Sequence, residues 1–299
     1  MLIRPWVDGD AGAVTALLDT AADPLWAAQG HRLHGPDRDG ARRRRTLIAT
    51  EADRVVGAVT VARNEIHPGR LSCGVEVAAG HRRRGIGRAL IQAALATRPD
   101  PLPLVGKVRV RDASAMALGR AVGASTYQRC PDPTVDPTDN RLAQWIHAQA
   151  APSDVDVRGL AGEAPDVLAR AFADLYLWVH ERWSRVGSRA ALAQIAAATV
   201  AEADLGLSAG GWAEGRLAAV VFAFDDGESI QLVAETLRRD TPDGIALLAA
   251  TVAATLDRAR SRSIGAVSFD GHDDDPHLAP VLASLPIVSA DPLLLLEIG

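Results

Sequence analysis

The chain has 299 residues, 48% of them hydrophobic, which is enough for a large core and, by length, favours two domains over one. Two cysteines exclude a disulfide framework, no apolar stretch reaches membrane-spanning length, and the first residues lack the basic and apolar segments of a secretion signal. The net charge of −5 is uneven, because residues 1–150 hold 21 Lys+Arg and 15 Asp+Glu whereas residues 151–299 hold 11 and 22.

Strands and helices alternate along the first half. A strand at residues 2–6 precedes a helix at residues 10–21, and a polar loop follows at residues 30–40. The later elements are predicted as strands at residues 46–50, 55–63, 71–77 and 102–110, a helix at about 85–97, a helix capped by Asp112 and ended by Gly123, and a last pair of strands from residue 125.

Two breaks, one with three prolines at residues 130–140 and one at residues 150–154, flank a run at residues 141–149 that is predicted as a strand. We place the domain boundary at the second break, which gives domains at residues 1–150 and 151–299. The second half repeats the order of the first, with predicted strands at 155–160, 205–214, 216–225, 229–236, 264–270 and 292–298 and helices at 164–183, 188–203 and 244–260. The sequence therefore predicts one αβ unit used twice.

A basic, glycine-containing segment joins the strand at residues 71–77 to the next helix. Arg82, Gly85 and Gly87 form the pattern R-x-x-G-x-G, and Arg83, Arg84 and Arg88 add positive charge. Backbone N–H groups at a helix N-terminus bind pyrophosphate, and glycine lets the phosphates approach the backbone. Neither a Rossmann G-x-G-x-x-G context nor a P-loop Gly-Lys-Ser/Thr is present.

The element order and this motif resemble the GNAT superfamily of acyl-CoA-dependent N-acetyltransferases. The resemblance covers about residues 1–150 by element order and residues 74–95 by motif. It implies an α/β (α+β) fold of two GNAT-like domains, each a mixed, mostly antiparallel sheet flanked by helices. It also implies a bulge in the strand before the loop, and a splay from the next strand that admits the pantetheine arm.

The same resemblance assigns the binding of acetyl-CoA to one continuous segment. The cofactor-binding residues that it implies are Val77 at the pantetheine arm and, at the pyrophosphate, Arg82, Arg83, Arg84, Gly85, Ile86, Gly87 and Arg88. Where the family often has proline, this chain has Ala79. No metal is predicted.

Glu76 is the candidate catalytic base that takes the proton of the attacking amine, because it lies at the strand end where substrate and acetyl-CoA should meet. Backbone donors near Val77 would stabilise the oxyanion. The alternative for Glu76 is a structural carboxylate paired with a nearby arginine. Glu65 and His67, in the preceding loop, are weaker candidates for the base. The favoured interpretation is that they line a solvent-exposed turn.

The tyrosine that protonates the departing thiolate in this family is replaced by Gly119. Tyr127 is a candidate substitute, although a packed strand aromatic is the favoured interpretation. Trp26, His31 and His34 lie where the family covers the acceptor, and the alternative is an ordinary surface loop.

Three further features favour structural roles. Cys73 lacks a His or Asp arrangement and is predicted to pack in a strand. The arginine run at residues 41–45 is interpreted as a solvated charge run rather than as a contact with nucleic acid or with the CoA 3′-phosphate. The acidic segment at residues 270–277 lacks calcium-loop spacing and is read as a polar loop at a helix start.

In the second half, Thr241, Gly244 and Ala246 align with the key positions of the phosphate loop. Asp240 and Asp243 flank them, and their negative charge repels phosphate. This domain is therefore predicted to have lost cofactor binding.

The lack of a secretion signal, membrane span and disulfide framework predicts a cytoplasmic protein, and we expect a monomer or homodimer. The resemblance implies an enzyme that transfers an acetyl group from acetyl-CoA to a small-molecule primary amine. No nucleic-acid or membrane partner is predicted. The alternative is a non-catalytic acyl-CoA-binding sensor or regulatory module, which the missing tyrosine and the degenerate second half favour.

Overall fold

The computed structural model describes residues 1–18, 24–225, 227 and 229–299, and the side chains of residues 24–28 are outside that description. The chain divides into two compact units, Met1–Tyr127 with Leu295–Gly299, and Gln128–Leu294. This division differs from the boundary predicted at residue 150. The reason is burial, because Leu142 and Trp145 pack in the core of the second unit.

The first unit is built on a seven-stranded sheet in the order β1-β2-β3-β4-β5-β14-β6. Its strands are β1 (Leu2–Pro5), β2 (Arg44–Glu51), β3 (Arg54–Arg63), β4 (Leu71–Val77), β5 (Leu104–Arg109), β14 (Leu293–Ile298) and β6 (Ser125–Cys130). Its helices are α1 (Ala11–Leu18), α2 (Pro24–Leu33), α3 (Ile86–Thr97) and α4 (Ala113–Ala121).

Helices cover both faces of this sheet. The strand β3 is buried from Val56 to Val61, which explains its nearly continuous apolar sequence. Val59 and Val61 pack against α3, whose buried side chains follow helical spacing, whereas Ala58 packs on the opposite face against α1. One face of the sheet is therefore the α3 face and the other is the α1–α2 face.

The second unit has a seven-stranded sheet in the order β13-β7-β12-β11-β10-β9-β8. Its strands are β7 (Pro133–Val135), β8 (Val155–Gly159), β9 (Ala209–Ala213), β10 (Arg216–Asp225), β11 (Ile230–Thr236), β12 (Val267–Asp270) and β13 (Ser289–Ala290). Its helices are α5 (Asn140–Ala148), α6 (Pro165–His180), α7 (Arg189–Glu202), α8 (Gly244–Ser261) and α9 (Leu278–Ser284). None of the described helices is long and apolar enough to cross a membrane.

Each sheet includes a strand that is distant in sequence from its neighbours. Between β5 and β6 lies β14, from the far end of the chain, and between β12 and β13 lies β7, which precedes every other strand of its sheet. Each inserted strand is the second strand from one edge of its sheet. The repeated αβ unit predicted from the sequence is confirmed, but each sheet takes this strand from the part of the chain that otherwise forms the other sheet.

Two local predictions were wrong. Residues 141–149 form the helix α5 rather than a strand, because Leu142 and Trp145, three residues apart, place their side chains on one helical face. The loop predicted at residues 30–40 begins with the last turn of α2, which ends at Leu33.

Candidate active site

The segment from Arg82 to Gly85 turns the chain from β4 into α3 through left-handed backbone conformations. Arg83 has φ +65°, and Gly85, the N-cap of α3, has φ +82°. A Cβ added at Gly85 would meet no atom within 4 Å, so the backbone there is open. No side chain caps α3, and the amides of its first turn have no intrahelical partners, so they remain available to an anion.

The arginines of this segment divide into two groups. Arg82 donates to the Val77 carbonyl (2.9 Å) and to Glu76 Oε1 (2.9 Å), and Arg84 forms an ion pair with Glu51 (3.0 Å). Arg83 and Arg88 are exposed, and neither forms an ion pair with any residue that the structure describes. Arg83 and Arg88 therefore supply uncompensated positive charge, whereas Arg82 and Arg84 hold the turn against neighbouring strands.

The two inward-facing residues at the start of α3 serve packing. Ile86 is 2% exposed and belongs to the core of the α3 face, so that only its amide can face a phosphate. A Cβ at Gly87 would lie 3.2 Å from Leu118 Cδ2 of α4. Glycine at position 87 therefore favours the close contact of α3 with α4, in addition to any approach of a phosphate.

A gap opens between β4 and β5, as the resemblance implies. The two strands pair only at Leu71↔Leu104 and Ser72↔Val105, although both continue further. We call the unpaired space after Cys73 the β4–β5 gap. The bulge that was expected in β4 is absent, because its register with β3 is unbroken from Arg63↔Leu71 to Gly57↔Val77. The two strands therefore separate without a bulge in β4.

The edge of β4 that faces this gap is occupied by its own side chains. The Ala78 amide bonds to Val56 of β3, so by alternation the amide and carbonyl of Val77 point toward the β4–β5 gap. There the Val77 amide donates to Glu76 Oε1 (3.0 Å), and the Val77 carbonyl accepts from Arg82. Glu76, Val77 and Arg82 thus close a small ring at the mouth of the gap.

Glu76 lies on the α1–α2 face of β4. Val75 and Val77 pack on the α3 face, so alternation directs Glu76 to the other side of the sheet. Its side chain is 22% exposed and its Oε1 contacts Arg82, as the arginine-paired alternative predicted. The role of Glu76 as base stays a prediction.

The missing general acid has a structural cause. Gly119 of α4 is buried, and a Cβ there would lie 3.0 Å from Leu296 Cδ1 of β14. A tyrosine at this position would collide with the inserted strand. Tyr127 does not replace it, because its ring lies 4.3 Å from the guanidinium of Arg70. Arg70 precedes β4, at the end of the strand about 20 Å from Glu76.

Of the two predicted acceptor-face side chains that the structure describes, His34 is buried. It is 9% exposed, and its Nδ1 lies 2.8 Å from Thr60 Oγ1 of β3. His31 is exposed at the end of α2, and the side chain of Trp26 lies outside the described residues. Glu65 pairs with Arg42 (3.0 Å) in the loop at the start of β4, far from the gap.

The other singled-out groups are structural. Burial raises the pKa of the Cys73 thiol to about 12, so it is not a nucleophile near neutral pH. The arginine run is not a solvated run throughout, because Arg44 is 7% exposed and donates to the carbonyls of Pro36 and Leu33. In the acidic segment, Asp275 Oδ1 accepts from the amides of His277 and Leu278 and starts α9, as expected of a polar loop before a helix.

The second unit has a closed version of the phosphate segment. Asp243 is the N-cap of α8 with φ +48°, and Asp240 pairs with Arg238 (3.0 Å). A Cβ at Gly244 would lie only 2.7 Å from His277 Nε2, so the imidazole covers the helix start. The helix start is therefore filled by the protein itself, which supports the predicted loss of cofactor binding.

Next to this helix start the structure buries two carboxyl groups. Glu235 (3% exposed) has the penultimate position of β11, as Glu76 has in β4, and Asp275 is 4% exposed. Burial first, then the charge of Asp275 and a hydrogen bond with it, raise the pKa of Glu235 well above its usual value. Glu235 Oε2 and Asp275 Oδ2 have no hydrogen-bond partner within the described residues.

We expect replacement of Glu235 by glutamine to stabilise the protein increasingly as pH rises. A carboxyl whose folded-state pKa is raised contributes stability below its unfolded pKa and loses it as pH rises through the folded pKa. The variant should gain about 1.4 kcal/mol over wild type per pH unit between the two pKa values. Urea unfolding from pH 5 to pH 9 measures this gain, with the exposed Glu202→Gln as control. Parallel pH profiles for wild type and Glu235→Gln would contradict the expectation.

Comparison with known proteins agrees with this architecture. Residues 13–99 match the model of the acetyltransferase (GNAT) family, so this part of the chain is a GNAT acetyltransferase domain. A sequence comparison with curated proteins finds no match.

Solved structures share the two-unit fold over the whole chain. A GCN5-related N-acetyltransferase from Sphaerobacter thermophilus is 14% identical, with 99% of this chain and 94% of that chain covered at a TM-score of 0.65. A tandem GNAT protein from the clavulanic acid biosynthesis pathway is 20% identical, with 100% and 98% covered at 0.64. A GCN5-related N-acetyltransferase from Kribbella flavida is 16% identical, with 99% and 70% covered at 0.55. At these identities the likeness concerns the fold: this chain has the tandem GNAT fold.

Proposed function

Because residues 13–99 are a GNAT acetyltransferase domain within a tandem fold, we propose that this chain transfers an acetyl group from acetyl-CoA to the primary amine of a small molecule. The observation that carries the proposal is the uncapped N-terminus of α3, beside the β4–β5 gap and flanked by Arg83 and Arg88. At the corresponding helix of the second unit, α8, the imidazole of His277 covers the helix start.

The residues present fit acetyl-CoA. The free amides at the start of α3 and the charges of Arg83 and Arg88 suit a pyrophosphate, and the open surroundings of Gly85 leave room for it. The edge of β4 at Val77 suits the amides of a pantetheine arm, which bond as an added strand would. For this edge to bind a ligand, Glu76 Oε1 must leave the Val77 amide. That movement would free the carboxylate for the amine.

In the proposed reaction the amine nitrogen attacks the acetyl carbonyl carbon, the carbon–sulfur bond breaks, and coenzyme A leaves as a thiolate. The proton of the amine goes to the Glu76 carboxylate. The released Val77 amide is a donor for the carbonyl oxygen as it gains charge. No acid is required at position 119, because a thiol with a pKa of about 8.5 leaves partly unprotonated near neutral pH.

A sensor that binds acyl-CoA without turnover is the second candidate. Two observations favour it: the Leu296 side chain closes the position of the family's tyrosine, and Glu76 is paired with Arg82. Both candidates require acetyl-CoA binding, so only chemistry separates them.

The test is thiol release from acetyl-CoA with glucosamine, spermidine and an aminoglycoside as acceptors. We expect release that depends on at least one amine and saturates with it. Binding of acetyl-CoA without amine-dependent release from an extended panel would favour the sensor. Absence of acetyl-CoA binding by calorimetry would reject both candidates.

The variant Glu76→Gln tests the base. Glutamine keeps an oxygen for the Val77 amide but cannot take the proton, so kcat at neutral pH should fall by about 100-fold or more. The matched control is Glu65→Gln, which removes a carboxylate at the other end of β4 and should leave kcat unchanged. An unchanged kcat in Glu76→Gln would remove Glu76 from the mechanism.

A further inference from the structure

A chain of hydrogen bonds runs from the backbone to His34 through two buried threonines. Thr46 Oγ1 donates to the Gly35 carbonyl (2.5 Å), Thr46 and Thr60 are joined through their hydroxyl oxygens (2.9 Å), and Thr60 Oγ1 lies 2.8 Å from His34 Nδ1. Both threonines are 0% exposed, so water does not compete for these bonds.

The order of donors in this chain fixes the protonation of the imidazole. A hydroxyl has one hydrogen, and Thr46 uses its hydrogen on the Gly35 carbonyl, which can only accept. Thr60 must therefore donate to Thr46, and Thr60 can then only accept from His34. The hydrogen lies on Nδ1 of His34, and its Nε2 carries a lone pair.

That lone-pair nitrogen faces β4 on the side of Glu76. His34 Nε2 lies 3.4 Å from the position of a Cβ on Gly74, and Gly74 pairs directly with Thr60 across β3 and β4. Glu76 is the next residue of β4 on this face, about 7 Å along the strand. No hydrogen bond reaches Nε2 from the described residues.

The surroundings of His34 keep it unprotonated. Burial, then the positive charges of Arg44 and His31, lower the pKa of His34 to about 4. At neutral pH the ring is thus an uncharged hydrogen-bond acceptor and a poor carrier of protons.

We propose that Nε2 of His34 accepts a hydrogen bond from an N–H of the acceptor substrate and holds its primary amine beside Glu76. This inference rests on the proposed acetyl transfer. The residue binds the acceptor, and proton removal belongs to another group. Thr46 and Thr60 are positioning residues, since they fix the tautomer that leaves Nε2 free to accept.

Two substitutions separate this role from a structural one. In His34→Asn the side-chain amide reaches the position of Nδ1 and keeps the bond to Thr60, but nothing replaces Nε2. In His34→Gln the longer side chain places an oxygen near Nε2 and gives up the bond to Thr60. The assay uses the amine of the panel that wild type acetylates best, with acetyl-CoA saturating.

We expect His34→Asn to raise the KM for the amine about 10- to 100-fold, while the KM for acetyl-CoA stays unchanged. His34→Gln should recover most of the loss. The kcat/KM profile of wild type and His34→Gln should show no inflection from His34 between pH 6 and 8. If His34 only anchors the fold, the order reverses, with His34→Asn normal and His34→Gln impaired, and the inference is overturned.

Nitrogen NMR of histidine-labelled protein provides a readout independent of turnover. The signals that disappear in His34→Gln belong to His34. We expect the chemical shift of its Nδ1 in the range of protonated imidazole nitrogens and that of its Nε2 in the range of unprotonated ones. A proton on Nε2 would overturn the inference while leaving acetyl transfer intact. Lack of amine-dependent turnover in wild type would instead count against the proposed function.

Discussion

Replacement of Gly85 by aspartate is expected to abolish acetyl-CoA binding while leaving the fold intact. Aspartate tolerates the left-handed backbone of this position better than most residues, and its carboxylate would place a negative charge beside the free amides of α3. The second unit has an aspartate in the same position, Asp243, as the left-handed N-cap of α8, where its side chain makes no capping hydrogen bond. The variant thus gives the first unit the negative charge that the second unit has at its helix start.

The loss should be large because the carboxylate repels the pyrophosphate from the amides that would bind it. Hydrogen bonds between amides and a charged group contribute about 1.5–3 kcal/mol each, so loss of two corresponds to at least about 100-fold in affinity. Calorimetry should find one acetyl-CoA per wild-type chain and none for Gly85→Asp, with similar unfolding temperatures.

The matched control is Gly85→Asn, which is equal in size, tolerates the same backbone and lacks the charge. It should keep more of the affinity than Gly85→Asp. Wild-type affinity in the aspartate variant would refute the assignment of the phosphate site. Two acetyl-CoA molecules per wild-type chain would show that the helix start under His277 opens.

Removal of residues 293–299 is expected to unfold the first unit. The strand β14 lies between β5 and β6, so its loss leaves two unpaired strand edges inside the sheet. Leu295 is 6% exposed, and Ile298 packs against the core of the α3 face. Burial of such side chains contributes about 1.5–3 kcal/mol each, and a domain is stable by only about 5–15 kcal/mol.

Circular dichroism and calorimetric titration of acetyl-CoA measure this loss. The truncated chain should either aggregate or lack one of the two unfolding transitions of wild type and fail to bind acetyl-CoA. The milder Leu295→Ala should fold with a free energy of unfolding lowered by about 2–4 kcal/mol. Deletion of Gly299 alone is the control and should change nothing. A truncated chain with both wild-type transitions would show that β14 is dispensable.

Local signals were sufficient to predict most elements of the fold. The apolar run of β3 and the glycines of the turn before α3 determine their own conformations, so strand, turn and helix were predicted in the right order. The exchange of β7 and β14 was not predictable in this way, because strand pairing over such distances leaves no periodic pattern in either strand. The helix α5 was missed because its two buried side chains, Leu142 and Trp145, are few.

The candidate site likewise combines features that the sequence predicts with features that depend on the folded structure. The uncapped N-terminus of α3 follows from its sequence, and the paired state of Glu76 was foreseen as an alternative. The tautomer of His34 was not, because it depends on Thr46 and Thr60, whose hydroxyls meet only after the strands pair. The collision at Gly119 also depends on a strand far along the chain.

The inserted strand also sets an order of events during synthesis. A ribosome makes roughly 5–20 residues per second, and domains usually fold as they emerge, from the N-terminal end. Here the leading domain cannot complete itself until residues up to Ile298 have been translated and have left the exit tunnel. For at least about 8 s after residue 130 is added, the incomplete sheet must stay soluble without β14 between β5 and β6. Chaperone dependence of the nascent chain, and its tolerance of slow codons, should follow from that delay.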